Sequence, residues 1–192
     1  MDKNTVTTLS IPIDKRILEN LKAGQKVLIS GTLYTVRDAV HKRLHDLHYN
    51  KKSLPIPLKG AVIYYAGPAP TKPGYIIGPI SPTTAARCDA YTPLMLALGV
   101  KAMIGKGNRS DTVIKAIRKH RAVYFAATGG AAAFYARCIT SAQVVAFKDL
   151  GTEAVIKMTV KQFPAFVAID SHGNSLYEQG PKTYRKTIKK EE

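Results

Sequence analysis

Between residues 60 and 138 the chain changes its hydrophobic period repeatedly, and this constrains the fold more than any other feature. An apolar run at 61–66 reads as a buried strand. The stretch 67–82 carries Pro68, Pro70, Pro73, Pro79 and Pro82 with three glycines, so turns dominate it, with a short strand at 75–77. Helical spacing returns over 83–98, with a kink expected at Pro93 because proline removes a helix donor and crowds the preceding turn. Gly99 ends that helix. A strand at 101–104, a glycine-bearing loop at 105–108, a helix at 110–120, a strand at 122–126, a turn at Gly129 and Gly130, and a helix at 131–138 follow. Strands alternating with helices predict α/β layering on a parallel sheet.

The flanks add a second pattern. Residues 1–13 read as extended, 14–22 as a helix capped by Asp14, and 26–30 with 32–36 as a hairpin or one strand kinked at Gly31. Helical spacing over 37–49 places Val40, Leu44 and Leu47 on one face. The basic connector 51–59, with Pro55 and Pro57, marks a boundary between subregions. Residues 143–169 are β-rich. An α/β fold of three layers, two of them mixed sheets, accommodates both patterns.

At 192 residues with 45% apolar side chains, the chain can bury a sizeable core. Its longest apolar runs are six residues (61–66 and 122–127), against about 20 for a membrane span. The opening MDKNTVTTLS lacks the apolar centre of a signal peptide, so the expected location is cytoplasmic. Twenty-nine Lys and Arg against thirteen Asp and Glu leave a net charge of +16, a field that attracts nucleic acid, anionic membrane or small polyanions. Two cysteines, Cys88 and Cys138, fall short of a zinc or iron–sulfur ligand set and read as reduced, semi-buried thiols.

Three segments carry chemistry. In GPISPTTAAR (78–87), Ser81 or Thr83 can cap a helix whose exposed N–H groups attract an anion, with Thr84 and Arg87 within reach. In GKGNRS (105–110), a strand–loop–helix turn presents Lys106 and Arg109, but the spacing of a nucleotide phosphate loop is missing. Such turns gather at the carboxyl ends of parallel strands, so both cationic turns are expected on one edge. In YTVRDAVHKR (34–43), Arg37 stands at a strand-to-helix junction. His41, with His45 and His48, reads as part of a solvated helix face rather than a metal site.

The blocks VLISGTLYTVRDAVHKR (27–43), GPISPTTAARCD (78–89), IGKGNRS (104–110), ATGGAAA (127–133) and FPAFVAIDSHGNSLY (163–177) resemble, in order and spacing, the β half of class I iron–sulfur fumarases and L-tartrate dehydratases. The resemblance implies a single swivelling β/β/α domain over 1–180, and the tail at 181–192, basic in composition, reads as frayed. It implies reversible hydration of fumarate to malate, or dehydration of tartrate. It implies a 4Fe–4S cluster held by the cysteines of a separate α subunit, in a higher hetero-oligomer, with no metal ligand in this chain.

The residues that match the family's site are Arg37, Thr83, Thr84, Arg87 and Lys106. By resemblance, Arg37, Arg87 and Lys106 pair with the carboxylates of a small dicarboxylate and stabilise an aci-carboxylate-like transition state. Thr83 matches the threonine given the part of catalytic base, aided by an acid from the α half, and Thr84 hydrogen-bonds substrate. A basic nucleic-acid-binding domain is the alternative of another class, resting on the net charge and the tail. No helix-turn-helix, zinc finger or aromatic RNA-binding motif supports it. A stand-alone anion-binding protein is the third reading.

Overall fold

The computed structural model describes residues 6–191, with side chains described through residue 185. In chain order the elements are β1 (Val6–Ser10), α1 (Lys15–Asn20), β2 (Lys26–Thr35), α2 (Asp38–Tyr49), β3 (Val62–Tyr64), β4 (Ala66–Pro68) and β5 (Ile80–Pro82). They continue with α3 (Thr92–Ala97), β6 (Ala102–Gly105), α4 (Asp111–His120), β7 (Val123–Ala126), α5 (Ala132–Arg137), β8 (Ile139–Ala146), β9 (Val155–Ile169) and α6 (Leu176–Glu191). One 3-10 turn occupies Ala85–Cys88, and two, divided by a kink at Gly151, occupy Lys148–Glu153.

The alternating region builds the parallel part of the main sheet: β2, β3, β6 and β7 pair side by side, all parallel. The long strand β9 runs antiparallel to both β2 and β7. The ladders therefore lead from β2 through β3, β6, β7 and β9 back to β2. β1 extends β2, β8 extends β9, and β4 with β5 form a separate antiparallel ribbon.

The central strands are apolar throughout because both faces are covered. Along β3, Val62 and Tyr64 join one core with Leu33 and Phe163, while Ile63 joins a second core on the opposite face. Helices α2, α3 and α4 close that second face through Val40, Leu44, Met95, Val113 and Ile117. The first face packs into the curled β1–β2–β9 portion, with Leu18 of α1 and Tyr135 of α5 beside it. The result is a three-layer α/β domain.

Several local expectations change. The helix expected over 83–98 does not form as one piece. Thr83 and Thr84 stay extended, a 3-10 turn follows, and α3 begins only at Thr92 with Pro93 in its first turn rather than at a kink. The strand expected at 75–77 is a bend. Ile80–Pro82 takes the pairing with β4 instead, while Ile77 is buried next to an exposed Ile76. The connector 51–59 is no boundary, since Ile56 and Leu58 bury in the second core. The basic segment from Lys182 lies in α6, which runs to Glu191. Residues 1–5 of the expected extended start, and residue 192, lie outside the described residues.

Of the two alternatives at Gly31, the structure takes the kinked strand: β2 runs through Gly31 at φ 122°. An added Cβ there would meet Ile11 Cβ and the Ile11 carbonyl oxygen, each at 2.8 Å. Gly31→Ala should therefore destabilise the domain by about 2–4 kcal/mol, combining backbone strain with overpacking. Gly60→Ala, at φ 77° with nothing within 4 Å, should cost only about 1 kcal/mol. Urea unfolding midpoints check both; equal midpoints would show that the contact with Ile11 is not what excludes a side chain at Gly31.

Candidate functional site

The site forms where β3 and β6 end. Tyr65 follows β3, and its carbonyl oxygen accepts from both the Thr83 N–H (2.6 Å) and the Thr83 hydroxyl (2.9 Å). Lys106 follows β6; its N–H donates to the Thr83 carbonyl (3.2 Å), and its carbonyl accepts from the Ala85 N–H (3.0 Å). Thr84 and Lys106 pair as a parallel bridge. The Thr83–Thr84 dipeptide thus behaves as a short extra strand on the end of β6. Gly105 permits this approach, because an added Cβ would meet Tyr65 Cδ2 at 2.8 Å and Ala85 Cβ at 3.0 Å.

The consequence is one cleft of about 460 Å³ whose wall includes Thr83, Thr84, Arg87, Lys106, Gly67 and Ala132. The two cationic turns share one edge, as their place at strand ends predicts. The α-helix start expected to offer free N–H groups to an anion does not form. The N–H groups of Thr83 and Ala85 are already bonded, and only a 3-10 turn follows. Positive charge comes instead from Arg87 and Lys106, both exposed and neither with an ion-pair partner among the described residues. The ATGG turn supplies a flat neighbour for the lysine: a Cβ added at Gly129 would lie 3.8 Å from Lys106 Nζ.

Arg109 corrects another expectation. It is not presented to solvent with Lys106 but is 3% exposed. Its Nε donates to Asp89 Oδ1 (2.7 Å), its Nη2 to Thr92 Oγ1 (2.6 Å) and its Nη1 to the Tyr65 hydroxyl (3.3 Å), with the Tyr65 and Tyr124 rings against its guanidinium. Burial opposes its charge, but Tyr65 and Asp89 outweigh that and raise its pKa. The other Asp89 oxygen accepts the Ser110 N–H (2.6 Å) and so caps α4. One carboxylate thereby ties the segment after Arg87 to the segment after Lys106.

Arg37 does not line this cleft. It stands at the N-cap of α2, where its Nη2 pairs with Glu153 Oε1 at 3.1 Å and its Nε is buried without a hydrogen-bond partner. It lies behind Gly67, where an added Cβ would come 2.7 Å from Arg37 Nη1. The resemblance singled out Arg37 but not Glu153, an acid before a strand with no motif around it. Asp89 was equally missed, although it closes the block that contains Arg87.

The histidines divide. His41 is buried beside the Tyr65 and Tyr91 rings, and its Nδ1–H donates to the Arg37 carbonyl (2.9 Å). Burial lowers its pKa to about 4, so it is neutral at pH 7 and not part of a solvated face. His45 remains half-buried and rests on Tyr49. No three His, Cys, Asp or Glu side chains converge as a metal site among the described residues. The Cys88 thiol is buried and donates to Asp38 Oδ1 (3.4 Å), and the Cys138 thiol donates to the Phe134 carbonyl (3.6 Å). The described residues therefore do not fit an iron–sulfur cluster.

Fold and cleft together define a three-layer α/β domain that gathers two unpaired cations at the ends of parallel strands. The model of the fumarase C-terminus family matches residues 2–180, and the chain belongs to that family. It is 41% identical over 175 residues to fumarate hydratase 2 of Leishmania major, covering 89% of this chain and 31% of that protein. It is 39% identical over 170 residues to the aerobic class I fumarate hydratase of Escherichia coli K12, covering 86% and 31%. It is 36% identical over 181 residues to a provisionally named L(+)-tartrate dehydratase subunit beta of Methanocaldococcus jannaschii, covering 91% and 93%. The chain thus spans about a third of the length of the fumarate hydratases and nearly all of the tartrate dehydratase subunit.

Arg109→Met should destabilise the domain by roughly 3–5 kcal/mol, because it strands Asp89 beside a buried site. Adding Asp89→Leu should recover only part of that loss, since the α4 cap is lost as well. Urea unfolding of both variants checks this; full recovery in the double variant would mean that Asp89 does not cap α4.

Proposed function

We propose that this chain is the β half of an iron–sulfur hydro-lyase and holds the carboxylates of fumarate and malate during reversible hydration. The observation that carries the reading is the cleft where Thr83, Thr84, Arg87 and Lys106 meet, with neither cation ion-paired among the described residues. Two positive side chains match a dianion in charge. A guanidinium grips a carboxylate through two parallel bonds, and an ammonium adds a mobile point charge. Both lower the energy of charge that builds on a carboxylate while the neighbouring carbon gains or loses a proton. Thr84 adds a hydroxyl to the same wall, and Arg37 stands in reserve behind Gly67.

Thr83 is the candidate proton-transfer group. Its hydroxyl proton points to the Tyr65 carbonyl, which leaves the Oγ1 lone pairs to accept. A main-chain carbonyl cannot take that proton, so Thr83 needs a further acid–base partner, the part that an acid of the α subunit would play. This supports a site completed by an α subunit. The same subunit is assigned the 4Fe–4S cluster, in a hetero-oligomer, and the roles of this chain's own residues do not depend on that cluster.

L-Tartrate is the second substrate reading, favoured by the near-complete match in length to a tartrate dehydratase beta subunit. Both substrates are dianions that two cations satisfy equally. Reconstituted with the cluster-bearing chain, Arg87→Lys should lower kcat/KM for fumarate or tartrate roughly 10- to 100-fold despite the conserved charge. Lys106→Met should lower it similarly. Near-normal kinetics in both variants would remove this cleft from the reaction.

A further inference from the structure

Among the described residues, Arg37 is the one cation of the proposed set that already holds a carboxylate. Its partner, Glu153, ends the 3-10 segment Lys148–Glu153. The pair is partly hydrated, with side-chain exposures of 20% and 30%, so the contact is weak enough to exchange. Arg37 is also under-bonded, since its Nε is buried without a partner. Its Nη1 and the Thr152 carbonyl crowd the space a side chain at Gly67 would fill, and Gly67 is part of the cleft wall. The segment that carries Glu153 has an anchor of its own. Arg43 Nη1 donates to Asp149 Oδ1 (2.8 Å), and the Arg43 guanidinium lies 5.2 Å from the centre of the Phe147 ring. Glu153 can leave Arg37 without freeing the whole segment.

We propose that Glu153 is a specificity-determining residue of this cleft: its carboxylate occupies Arg37, and a ligand gains Arg37 only by bringing a second carboxylate that replaces it. The inference rests on the reading of the cleft as a dicarboxylate site. Arg87 and Lys106 are open to any carboxylate. Arg37 with Glu153 is neutral as a pair and attracts nothing at long range. A monocarboxylate held by Arg87 and Lys106 has no group left to exchange with Glu153. A dicarboxylate has one, and the exchange swaps one charge-assisted bond for another. Glu153 therefore sets how strongly the second carboxylate counts.

The test compares succinate with butyrate, which has the same carbon count and one carboxylate fewer. Dissociation constants are measured at one ionic strength for the unmodified chain, Glu153→Gln, Glu153→Ala and Asp149→Asn. Both Glu153 variants should bind succinate about fivefold more tightly, the factor expected for releasing a partly exposed ion pair. Butyrate should stay unchanged or undetected. Asp149→Asn removes the same charge from the same segment and should alter neither ligand. Equal tightening of succinate and butyrate, or the same tightening by Asp149→Asn, would reduce the effect to general electrostatics and overturn the inference. So would unchanged or weaker succinate binding in the Glu153 variants; in each of these cases the dicarboxylate reading survives as long as the unmodified chain binds succinate. Succinate binding to none of the four proteins would overturn both.

Discussion

The ion pair between Arg109 and Asp89 determines where the rest of the site can be. A guanidinium taken out of water costs several kcal/mol unless its donors are met, and here Asp89, Thr92 and Tyr65 meet them. Those partners come from the end of β3, the turn after Arg87 and the start of α3. The pair therefore joins three segments that the sheet alone would leave as independent loops. Asp89 does this while capping α4, so the helix start and the turn share one register. Buried ion pairs add little net stability but penalise misalignment severely. A one-residue slip of either turn would leave a charge unpaired inside the protein.

That constraint separates two kinds of cation on one loop. Lys106 and Arg109 are three residues apart, and both look like surface charges in sequence. Lys106 follows Gly105, whose missing Cβ lets the Thr83–Thr84 segment close over the strand end and turns the lysine outward. Arg109 sits where the chain turns inward toward Asp89. The exposed cations, Arg87 and Lys106, are left to face a ligand because the interior is satisfied without them. Arg37 is intermediate: partly exposed, ion-paired and one donor short.

The sequence showed the architecture where period and chain topology carry it. Alternation over 60–138 predicted the parallel strands, and the rule that loops gather at strand ends predicted that two distant turns share an edge. Reading failed where a tertiary bond outweighed local preference. Residues 83–91 have helical spacing, but the Thr83 and Ala85 N–H groups bond across to Tyr65 and Lys106, so Thr83 and Thr84 stay extended and only a 3-10 turn follows. His41 matches its neighbours His45 and His48 in spacing, yet its ring is buried under Tyr65 and Tyr91, while His45 is half-buried at the edge of Tyr91 and His48 is exposed. Glu153 and Asp89 had no local signal, because their partners lie 116 and 20 residues away and an acid outside a motif looks like any surface acid.

Every role assigned to Arg87 and Lys106 requires that the two turns form one preformed anion cleft. A malate titration of the isotopically labelled chain at constant ionic strength, followed by backbone amide chemical shifts, tests this without the partner subunit. A preformed cleft predicts that Thr83, Thr84, Arg87, Lys106 and Gly107 shift together and saturate on a single binding curve. Shifts spread over exposed lysines without saturation, or silence at these five amides, would contradict it.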